Sequence, residues 1–276
     1  MRRIAPRLLL GVVPALALLG CSKGPAGGVQ DLWTSSTIYR AKQANKLVVL
    51  MEAEFKPFTW KDGGKLVGFD VDLAREIGKE LGVKDVEFRE TSWGLLATEL
   101  VQGKGDLIIS GVTATAQRAL EANFTDPYYL TRTIALVARP RADGVKTVAE
   151  LDAPERRIVV QKGSTGEIAA KRHLPRARLD TFDTESLCAL EVAQGRADAF
   201  VYDEVQVREH ARLHPDTTRV IDETLSIEPY AIECRKGDPE TLAWLNLVLA
   251  TLRRDGRLDD LYKKHLPGVR LPSQGD

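Results

Sequence analysis

The chain has 276 residues, of which 43% are hydrophobic and 28% are charged. This is ordinary globular composition, and the length is enough for two domains of roughly 100 residues each. Lysine plus arginine and aspartate plus glutamate both number 39, so the formal net charge is zero. Because no net field attracts nucleic acid or an anionic membrane face, we expect no nucleic-acid partner.

Residues 1–20 have the pattern of a targeting segment. Arg2, Arg3 and Arg7 precede an apolar run over residues 8–19 that contains Pro14. A charged head followed by an apolar run of about 12 residues predicts a signal peptide, because the run is too short to stay in a bilayer as a spanning helix. We therefore expect residues 1–20 to be absent from the mature protein.

The targeting segment ends in the residues LLGC, at positions 18–21. This ending resembles the lipobox of bacterial lipoproteins, and the resemblance implies cleavage before Cys21 and lipidation of its thiol. The alternative is a plain secretory signal with a chance cysteine. Residues 22–29 are rich in Gly, Pro and Ala, so we interpret residues 21–35 as a flexible, lipidated tether.

Beyond Cys21 the sequence contains two cysteines, Cys188 and Cys234. In an oxidising compartment they could form a disulfide. However, Cys188 lies in a predicted helix and Cys234 in a predicted strand, and nothing local brings them together. We favour two buried free thiols, which commonly behave as small core hydrophobes.

The mature chain opens with alternating helix and strand patterns. Residues 46–51 form a compact apolar run, which is typical of a buried strand. Further on, Asp70 stands at the position of a helix N-cap, apolar residues recur at helical spacing, and Gly82 ends the pattern. The predicted order is helix 36–45, strand 46–51, helix 71–81, strand 86–88, helix 95–101 and strand 106–110. This order indicates a mainly parallel sheet with helices on its faces.

The same alternation restarts in the second half of the sequence. The predicted order there is strand 158–160, helix 166–173, strand 179–182, helix 185–194 and strand 199–202. Two α/β units are therefore expected end to end.

The segments that connect and follow these units predict a discontinuous first lobe. Two amphipathic helices, 239–255 and 258–265, end the chain, and without a sheet they could not fold alone. The alternative is two separate tandem domains. The fold prediction is α/β, with two Rossmann-like lobes joined by a two-segment hinge: lobe 1 in residues 36–134 and 231–276, lobe 2 in residues 138–227, and hinge segments at 134–138 and 228–232.

Polar side chains follow several predicted strands, where ligands of open α/β sheets bind. They lie in residues 51–58, in residues 111–115 with Arg118, in residues 163–166 and at Asp203. Together they offer a guanidinium, a carboxylate, several hydroxyls and aromatic rings. This set fits a small zwitterion, because a guanidinium pairs with a carboxylate through a bidentate fork and a buried carboxylate complements an ammonium.

The order and spacing of several short motifs resemble the amino-acid-binding family of bacterial extracellular solute-binding proteins, family 3, which serve ABC importers. The motifs are GFDVDLA at 68–74, GVT at 111–113 with Arg118, FTDPYY at 124–129, GST at 163–165, and RADA at 196–199 leading to Asp203. The resemblance covers the chain from about residue 47 to about residue 266. It implies a type II periplasmic-binding-protein fold that captures a free amino acid by hinge closure.

The resemblance also implies the residues that bind the ligand. They are Arg118, Thr113, Ser164 and Thr165 for the α-carboxylate, Asp203 and the carbonyl of Gly111 for the α-ammonium, Phe55 and Trp93 as aromatic walls, and Glu52 and Gln161 at the polar end of the ligand side chain. Glu52 departs from the aspartate of many members, and Tyr202 occupies a variable position. The ligand is therefore left open among glutamine, arginine, lysine and histidine, while acidic amino acids would be repelled by Glu52. The alternative for Phe55 and Trp93 is ordinary core packing.

The same resemblance implies ABC permease subunits as partners and a periplasmic or cell-envelope location, with the membrane reached only through the lipid on Cys21. We expect a monomer without a cofactor. The histidines are scattered and offer no metal-ligand spacing, so we expect no metal site.

The alternative function is an enzyme, since the fold also resembles cyclohexadienyl (arogenate or prephenate) dehydratases. In those enzymes a glutamate after the Gly-Ser/Thr turn acts as general acid, and Glu167 occupies that place here. A glutamate in the first turn of a helix is also what the helix dipole favours. We therefore favour a binding protein over an enzyme.

Overall fold

The structure, a computed structural model, describes residues 29–266. The predicted signal peptide, the lipidation site at Cys21, the tether up to residue 28 and residues 267–276 lie outside the described residues. The described end of the predicted tether, Val29–Ser35, is helical. Among the described residues no helix has the length and apolar character that a membrane span requires.

Helices and strands alternate along the chain as the sequence predicts. The helices within residues 29–266 are α1 (Val29–Ser35), α2 (Thr37–Ala44), α3 (Phe69–Leu81), α4 (Leu96–Val101), α5 (Arg139–Ala142), α6 (Thr165–His173), α7 (Glu185–Ala193), α8 (Glu204–Leu213), α9 (Pro239–Arg254) and α10 (Arg257–His265). The strands are β1 (Lys46–Met51), β2 (Glu54–Phe55), β3 (Thr59–Asp62), β4 (Lys65–Val67), β5 (Asp85–Glu90), β6 (Leu107–Ile108), β7 (Ala122–Phe124), β8 (Tyr129–Ala138), β9 (Arg157–Gln161), β10 (Arg178–Phe182), β11 (Ala199–Asp203), β12 (Thr218–Tyr230) and β13 (Glu233–Arg235).

Two five-stranded sheets of matching design form the two lobes. Sheet 1 has the order β5-β1-β6-β13-β7 and sheet 2 the order β10-β9-β11-β8-β12. In each, the first three strands are parallel and the fourth is antiparallel to them. Parallel strands require long crossovers, and the helices between them provide these. A smaller sheet, β2-β3-β4, which the sequence patterns did not predict, follows β1.

The chain crosses between the lobes twice, so lobe 1 is discontinuous. It leaves sheet 1 after Phe124 and enters sheet 2 at Tyr129; it leaves sheet 2 at Tyr230 and re-enters sheet 1 at Glu233. Residues 134–138, expected as a hinge segment, form the second half of β8 inside sheet 2. We therefore propose that the first hinge segment lies before Tyr129 and not at 134–138. The second hinge segment is kept at 228–232, as the sequence predicts.

The two C-terminal helices dock on lobe 1. Asp238, the N-cap of α9, accepts hydrogen bonds from Thr37 N at 2.7 Å and Thr241 N at 3.1 Å. On α10, the ring of Tyr262 stacks on Phe69 of α3 at 5.1 Å between centroids. These contacts bury the apolar faces that two isolated helices would expose.

The N-cap of helix α3 is Gly68 and not Asp70. Gly68 is the N-cap residue and has φ 132°, a conformation that side chains rarely adopt, and a Cβ there would lie 2.1 Å from the carbonyl oxygen of Phe58. The prediction of Asp70 as N-cap was wrong, because its side chain reaches a partner elsewhere in the lobe. A residue without a side chain is required where α3 packs against the Phe58 backbone.

Cys188 and Cys234 are both free and buried. Cys188 lies on α7 in lobe 2 and Cys234 on β13 in lobe 1, and both thiols belong to the hydrophobic core. This agrees with the favoured interpretation of two unpaired thiols.

We expect Gly68→Ala to lower the free energy of unfolding by at least about 2 kcal/mol, because a strained backbone is combined with a clash against Phe58. The matched control is Gly82→Ala, where φ is also positive, at 73°, but a Cβ meets no atom within 4 Å. The control should lose only about 1 kcal/mol. Urea denaturation of both variants measures the difference, and equal losses would contradict the role given to the Phe58 contact.

Candidate ligand-binding site

A small cavity lies between the lobes, where the carboxyl ends of β1, β6, β9 and β11 meet. Its lining residues are Glu52, Phe55, Trp93, Ser110, Gly111, Thr113, Ser164, Thr165, Tyr202 and Asp203. Its volume of about 10 Å³ is roughly what one water molecule needs. A cavity of this size is too small to hold an amino acid.

The predicted site residues converge on this cavity. All of them except Arg118 and Gln161 line it, and these two contact lining residues directly. The sequence analysis did not assign Ser110 or Tyr202 to the site. Ser110 Oγ accepts a hydrogen bond from Glu52 N at 2.9 Å, and Tyr202 packs edge-on against Phe55. The available signal was their position next to Gly111 and Asp203 in the sequence.

Arg118 bridges the cleft. Its Nη1 donates to the carbonyl of Thr113 at 2.9 Å in lobe 1, and its Nη2 donates to the carbonyl of Gly163 at 3.0 Å in lobe 2. The guanidinium carbon also lies 5.2 Å from the centre of the Trp93 ring, a cation–π contact. These contacts hold a fixed positive charge at the wall of the cavity.

Asp70 fixes the turn after β6 through a hydrogen bond. Asp70 is fully buried, and its Oδ2 accepts a hydrogen bond from Gly111 N at 2.8 Å. Gly111 has φ 57°, and a Cβ there would lie 2.2 Å from the Phe55 ring. Burial raises the pKa of Asp70 to about 7, while hydrogen bonds from Tyr128 and Gly111 oppose this rise. Asp70 therefore shapes the Gly111 turn that faces the ligand.

On the lobe 2 side, the N-terminus of α6 faces the cavity. Ser164 caps this helix by accepting a hydrogen bond from Glu167 N at 3.2 Å, and Glu167 Oε2 accepts one from Gly163 N at 2.7 Å. The arrangement is similar to a capping box, except that Glu167 accepts from the residue before the N-cap. The N–H of Gly163 and the N–H and hydroxyl of Ser164 are bonded within the turn, to Glu167 and to the carbonyl of Gln161. Thr165, the first residue of α6, lines the cavity at the end of the helix that favours an anionic oxygen.

Glu167 is engaged in structure and is not poised as an acid. Besides Gly163, it contacts Lys171 Nζ at 2.6 Å. Burial opposes ionisation, but these two hydrogen bonds outweigh it and hold the pKa of Glu167 below its usual value. A general acid that works near neutral pH needs a raised pKa, so this geometry does not support that role.

Asp203 carries an unpartnered oxygen. Its Oδ2 accepts a hydrogen bond from the Tyr230 hydroxyl at 2.5 Å, whereas its Oδ1 is buried without a partner among the described residues. Burial, followed by the nearby Glu228 carboxylate, raises the pKa of Asp203 to about 7. A buried carboxylate oxygen without a donor is costly and is best offset by a cation or a hydrogen-bond donor.

Glu52 and Gln161 meet across the cleft. Gln161 Oε1 accepts a hydrogen bond from the Tyr202 hydroxyl at 2.6 Å, so its amide NH₂ is turned toward the carbonyl of Asp183 and the carboxyl group of Glu52. Burial raises the pKa of Glu52 to about 7, and the nearby Glu185 carboxylate adds to the rise. The two residues predicted at the polar end of the ligand side chain thus lie together.

The two aromatic residues differ in their surroundings. Phe55 is buried and stacks on Phe58 at 5.4 Å between centroids, so core packing and cavity lining are combined in one ring. Trp93 is half-buried and offers one face to Arg118. Both rings line the cavity, as the sequence predicts for walls around a ligand side chain.

A larger cavity of about 620 Å³ opens on the far side of Trp93 and Arg118. Glu233 lines it and is 5% exposed; burial raises the pKa of Glu233 to about 7, although the Arg118 charge lowers it. Within residues 29–266 no group of three or more His, Cys, Asp or Glu side chains could hold a metal ion. Glu233, Asp203 and Glu228 all lie close enough to Arg118 to oppose the fall of its pKa on burial.

Comparison with known proteins agrees with this architecture. The model of the bacterial extracellular solute-binding proteins, family 3, matches residues 47–268. The L-cystine-binding protein TcyJ of Escherichia coli (strain K12) is 26% identical over 257 residues, which are 93% of each chain. Cyclohexadienyl dehydratase of Pseudomonas aeruginosa is 27% identical over 216 residues, which are 78% of this chain and 79% of the dehydratase.

Solved structures agree as well. The ancestral amino acid-binding protein AncCDT-1, a precursor of cyclohexadienyl dehydratase, matches with a TM-score of 0.77 and 38% identity, over 84% of this chain and 99% of that chain. A second structure of it, named as an ancestral cationic amino acid solute-binding protein, matches with a TM-score of 0.66 and 40% identity, over 83% of this chain and 99% of that chain.

These matches confirm the predicted type II fold and support a binding protein rather than an enzyme. The chain belongs to the bacterial extracellular solute-binding proteins, family 3, because the family model matches residues 47–268 and because the motif order and the two lobes joined by two crossings agree with it.

Proposed function

We propose that this protein captures a basic amino acid, arginine or lysine before histidine or glutamine, and delivers it to an ABC importer. The observation that carries the proposal is the pairing of two opposite groups across one cleft. Arg118 provides a fixed positive charge on lobe 1, and Asp203 provides a buried, partly unpartnered carboxyl group on lobe 2. An amino acid carries a carboxylate, which complements Arg118, and an ammonium, which complements Asp203, and both groups are attached to its α-carbon.

The backbone of the ligand is recognised by these two groups and their neighbours. The α-carboxylate pairs with Arg118 and takes further donors from Thr113 and from Ser164 and Thr165 at the N-terminus of α6. The α-ammonium pairs with Asp203 Oδ1 and the carbonyl of Gly111. Each contact replaces an interaction that the separated lobes would leave to water.

The ligand side chain is recognised through its positive charge. Glu52 is buried at the far wall of the cavity, and Glu185 lies close enough to raise the pKa of Glu52 further. A guanidinium or ammonium at this end offsets both carboxylates, whereas a neutral amide offsets neither. The related AncCDT-1 is named as a cationic amino acid solute-binding protein, which agrees with this assignment.

Capture proceeds by closure of the lobes. In the closed state Arg118 reaches Gly163, and Gln206 Nε2 on lobe 2 donates to the carbonyl of Lys56 on lobe 1 at 3.1 Å. A ligand shifts the equilibrium toward closure only as far as it binds the closed state better than the open one. The importer then recognises the closed form.

Family membership implies that the protein works in the periplasm or cell envelope. We propose further that the signal segment is removed and that a lipid on Cys21 anchors the mature protein, as a monomer, at the membrane surface. The permease subunits of the importer are its partners. The residues LLGC at positions 18–21, at the end of the targeting segment, support the lipid anchor.

A dehydratase activity is the second candidate, because a dehydratase is among the relatives. The residue on which that prediction rested, Glu167, accepts hydrogen bonds from Gly163 N and Lys171 Nζ. Its lowered pKa suits a structural carboxylate. The binding function is therefore preferred.

Thermal-shift screening of residues 22–276 against the twenty amino acids tests the proposal first. Arginine or lysine should raise the melting temperature in a concentration-dependent way, since a ligand that binds only the folded state stabilises it. Arg118→Ala should abolish the shift, while the exposed control Arg172→Ala should keep it. Silence with every amino acid, together with turnover of prephenate or arogenate that Glu167→Gln removes, would overturn the binding function.

Exchange of the Glu52 carboxylate for an amide tests the side-chain assignment. Above pH 7, Glu52→Gln should weaken arginine binding about tenfold or more, because a charge-assisted contact is lost. Glutamine binding should change by less than about threefold. Calorimetric titration measures both ligands, with the exposed neighbour Glu54→Gln as control. An equal loss for arginine and glutamine would show that Glu52 does not read charge.

The affinity for arginine should rise as the pH increases from about 5 to about 8, because Asp203 and Glu52 must lose protons to pair with a cation. Their pKa values, both raised to about 7 by burial, fall when the cation arrives, so binding releases protons below that pH. Titration calorimetry in buffers of different ionisation enthalpy counts these protons. A flat profile, or proton uptake on binding, would contradict the assigned roles.

A further inference from the structure

A row of polar side chains crosses sheet 2 at the end nearest the hinge. Asp203 on β11 is directly opposite Thr133 on β8, and Thr133 is directly opposite Ser226 on β12. Opposed residues on neighbouring strands point to the same face of a sheet, and so do residues two apart on one strand. Glu228 and Tyr230, which follow Ser226 at this spacing, therefore share the face that carries Asp203.

Glu228 is a buried carboxyl group that the sequence analysis did not assign to the site. It is 2% exposed, and its Oε1 accepts hydrogen bonds from the hydroxyls of Thr133, at 2.8 Å, and Ser226. Its Oε2 is buried without a hydrogen-bond partner among residues 29–266. Glu228 and Asp203 thus each present one unpartnered oxygen on the same face of sheet 2.

These two carboxyl groups interact with each other and with Arg118. After burial, Glu228 is the strongest influence that raises the pKa of Asp203. Burial lowers the pKa of Arg118, and the charge of Glu228 is among those that oppose this effect. Two neighbouring carboxylates in a buried place repel each other, and a cation beside them removes the repulsion.

The side chains that face Asp203 and Glu228 do not supply enough positive charge to balance both carboxylates. Thr133, Ser226 and Tyr230 provide hydroxyl hydrogens to one oxygen of each carboxyl group. Arg118 donates hydrogen bonds to the carbonyls of Thr113 and Gly163 rather than to either acid. A further cation is thus required to satisfy the two remaining oxygens in their ionised form.

We propose that Glu228 is a positioning residue for the ligand α-ammonium and makes capture depend on the α-amino group. This inference rests on the proposed function and extends it. Glu228 places a second negative charge beside Asp203, and when both groups are ionised this charge attracts the ammonium that Asp203 binds. The protein then selects α-amino acids against the corresponding deaminated acids, although both carry the carboxylate that Arg118 binds. Because Glu228 lies on a strand that enters the hinge, the ammonium is sensed where the lobes join.

The test is a cycle in which both the protein and the ligand lose one group. Arginine is compared with δ-guanidinovaleric acid, which is arginine without its α-amino group, by calorimetric titration of the unaltered protein and Glu228→Gln. The amide keeps the shape and retains an oxygen for Thr133 and Ser226. The matched control is Glu223→Gln, an exposed glutamate on the same strand. If lysine is the ligand, ε-aminocaproic acid replaces the deaminated probe.

Glu228→Gln should weaken arginine binding about tenfold but change binding of the deaminated acid by less than about twofold. Glu223→Gln should change neither. A similar loss for both ligands would assign Glu228 a merely structural role, and an unchanged affinity for arginine would remove it from ammonium recognition. Either result overturns this proposal while amino-acid capture stands. An unaltered protein that binds no amino acid overturns both.

A second variant keeps the proposal testable if Glu228→Gln does not fold. Ser226→Ala removes one hydroxyl that holds Glu228 Oε1, at a half-buried position that tolerates a smaller side chain. It should reduce the preference for arginine over the deaminated acid about threefold. An unchanged preference in this folded variant would overturn the proposal.

Discussion

The pairing of β8 with β12 is the contact on which the cleft depends. These strands bring the chain into lobe 2 and take it out again, and they are paired from Thr218 opposite Ala138 to Tyr230 opposite Tyr129. Hydrogen bonds continue the ladder into the crossing itself, where Tyr128 N donates to the carbonyl of Tyr230 at 2.8 Å. Because the two connections are hydrogen-bonded to each other, we expect them to bend together. The motion that we propose is then a rotation of one lobe about a line through both connections.

The cleft between the lobes encloses several acidic groups. Glu52, Asp203, Glu228 and Glu233 are all at least nine-tenths buried, and Arg118 lies among them. An unpaired buried carboxylate is costly, and burial raises the pKa values of Glu52, Asp203 and Glu233 to about 7. The cationic amino acid that we propose as ligand would offset this cost, so that ligand binding and closure of the lobes favour each other.

The sequence predicted the elements whose signals are local and missed those that depend on distant partners. The alternation of strands and amphipathic helices, and the polar loops after the strands, follow from periodicity and capping. The sheet over residues 54–67 was missed because its strands are short and mixed in polarity. Asp70 has the residue type of a cap, but its partner Gly111 lies far along the chain. Glu228 shares a face with Asp203 only through strand register, which no local pattern contains.

Both ends of the described chain are fastened to lobe 1. Near the N-terminus, Thr37 N is bound by Asp238, and near the C-terminus, Tyr262 stacks on Phe69. In the lipid-tethered form that we propose, lobe 1 would keep its distance from the membrane whether the cleft is full or empty, and lobe 2 would move relative to it. The position of lobe 2 would then distinguish a loaded molecule from an empty one at the membrane surface.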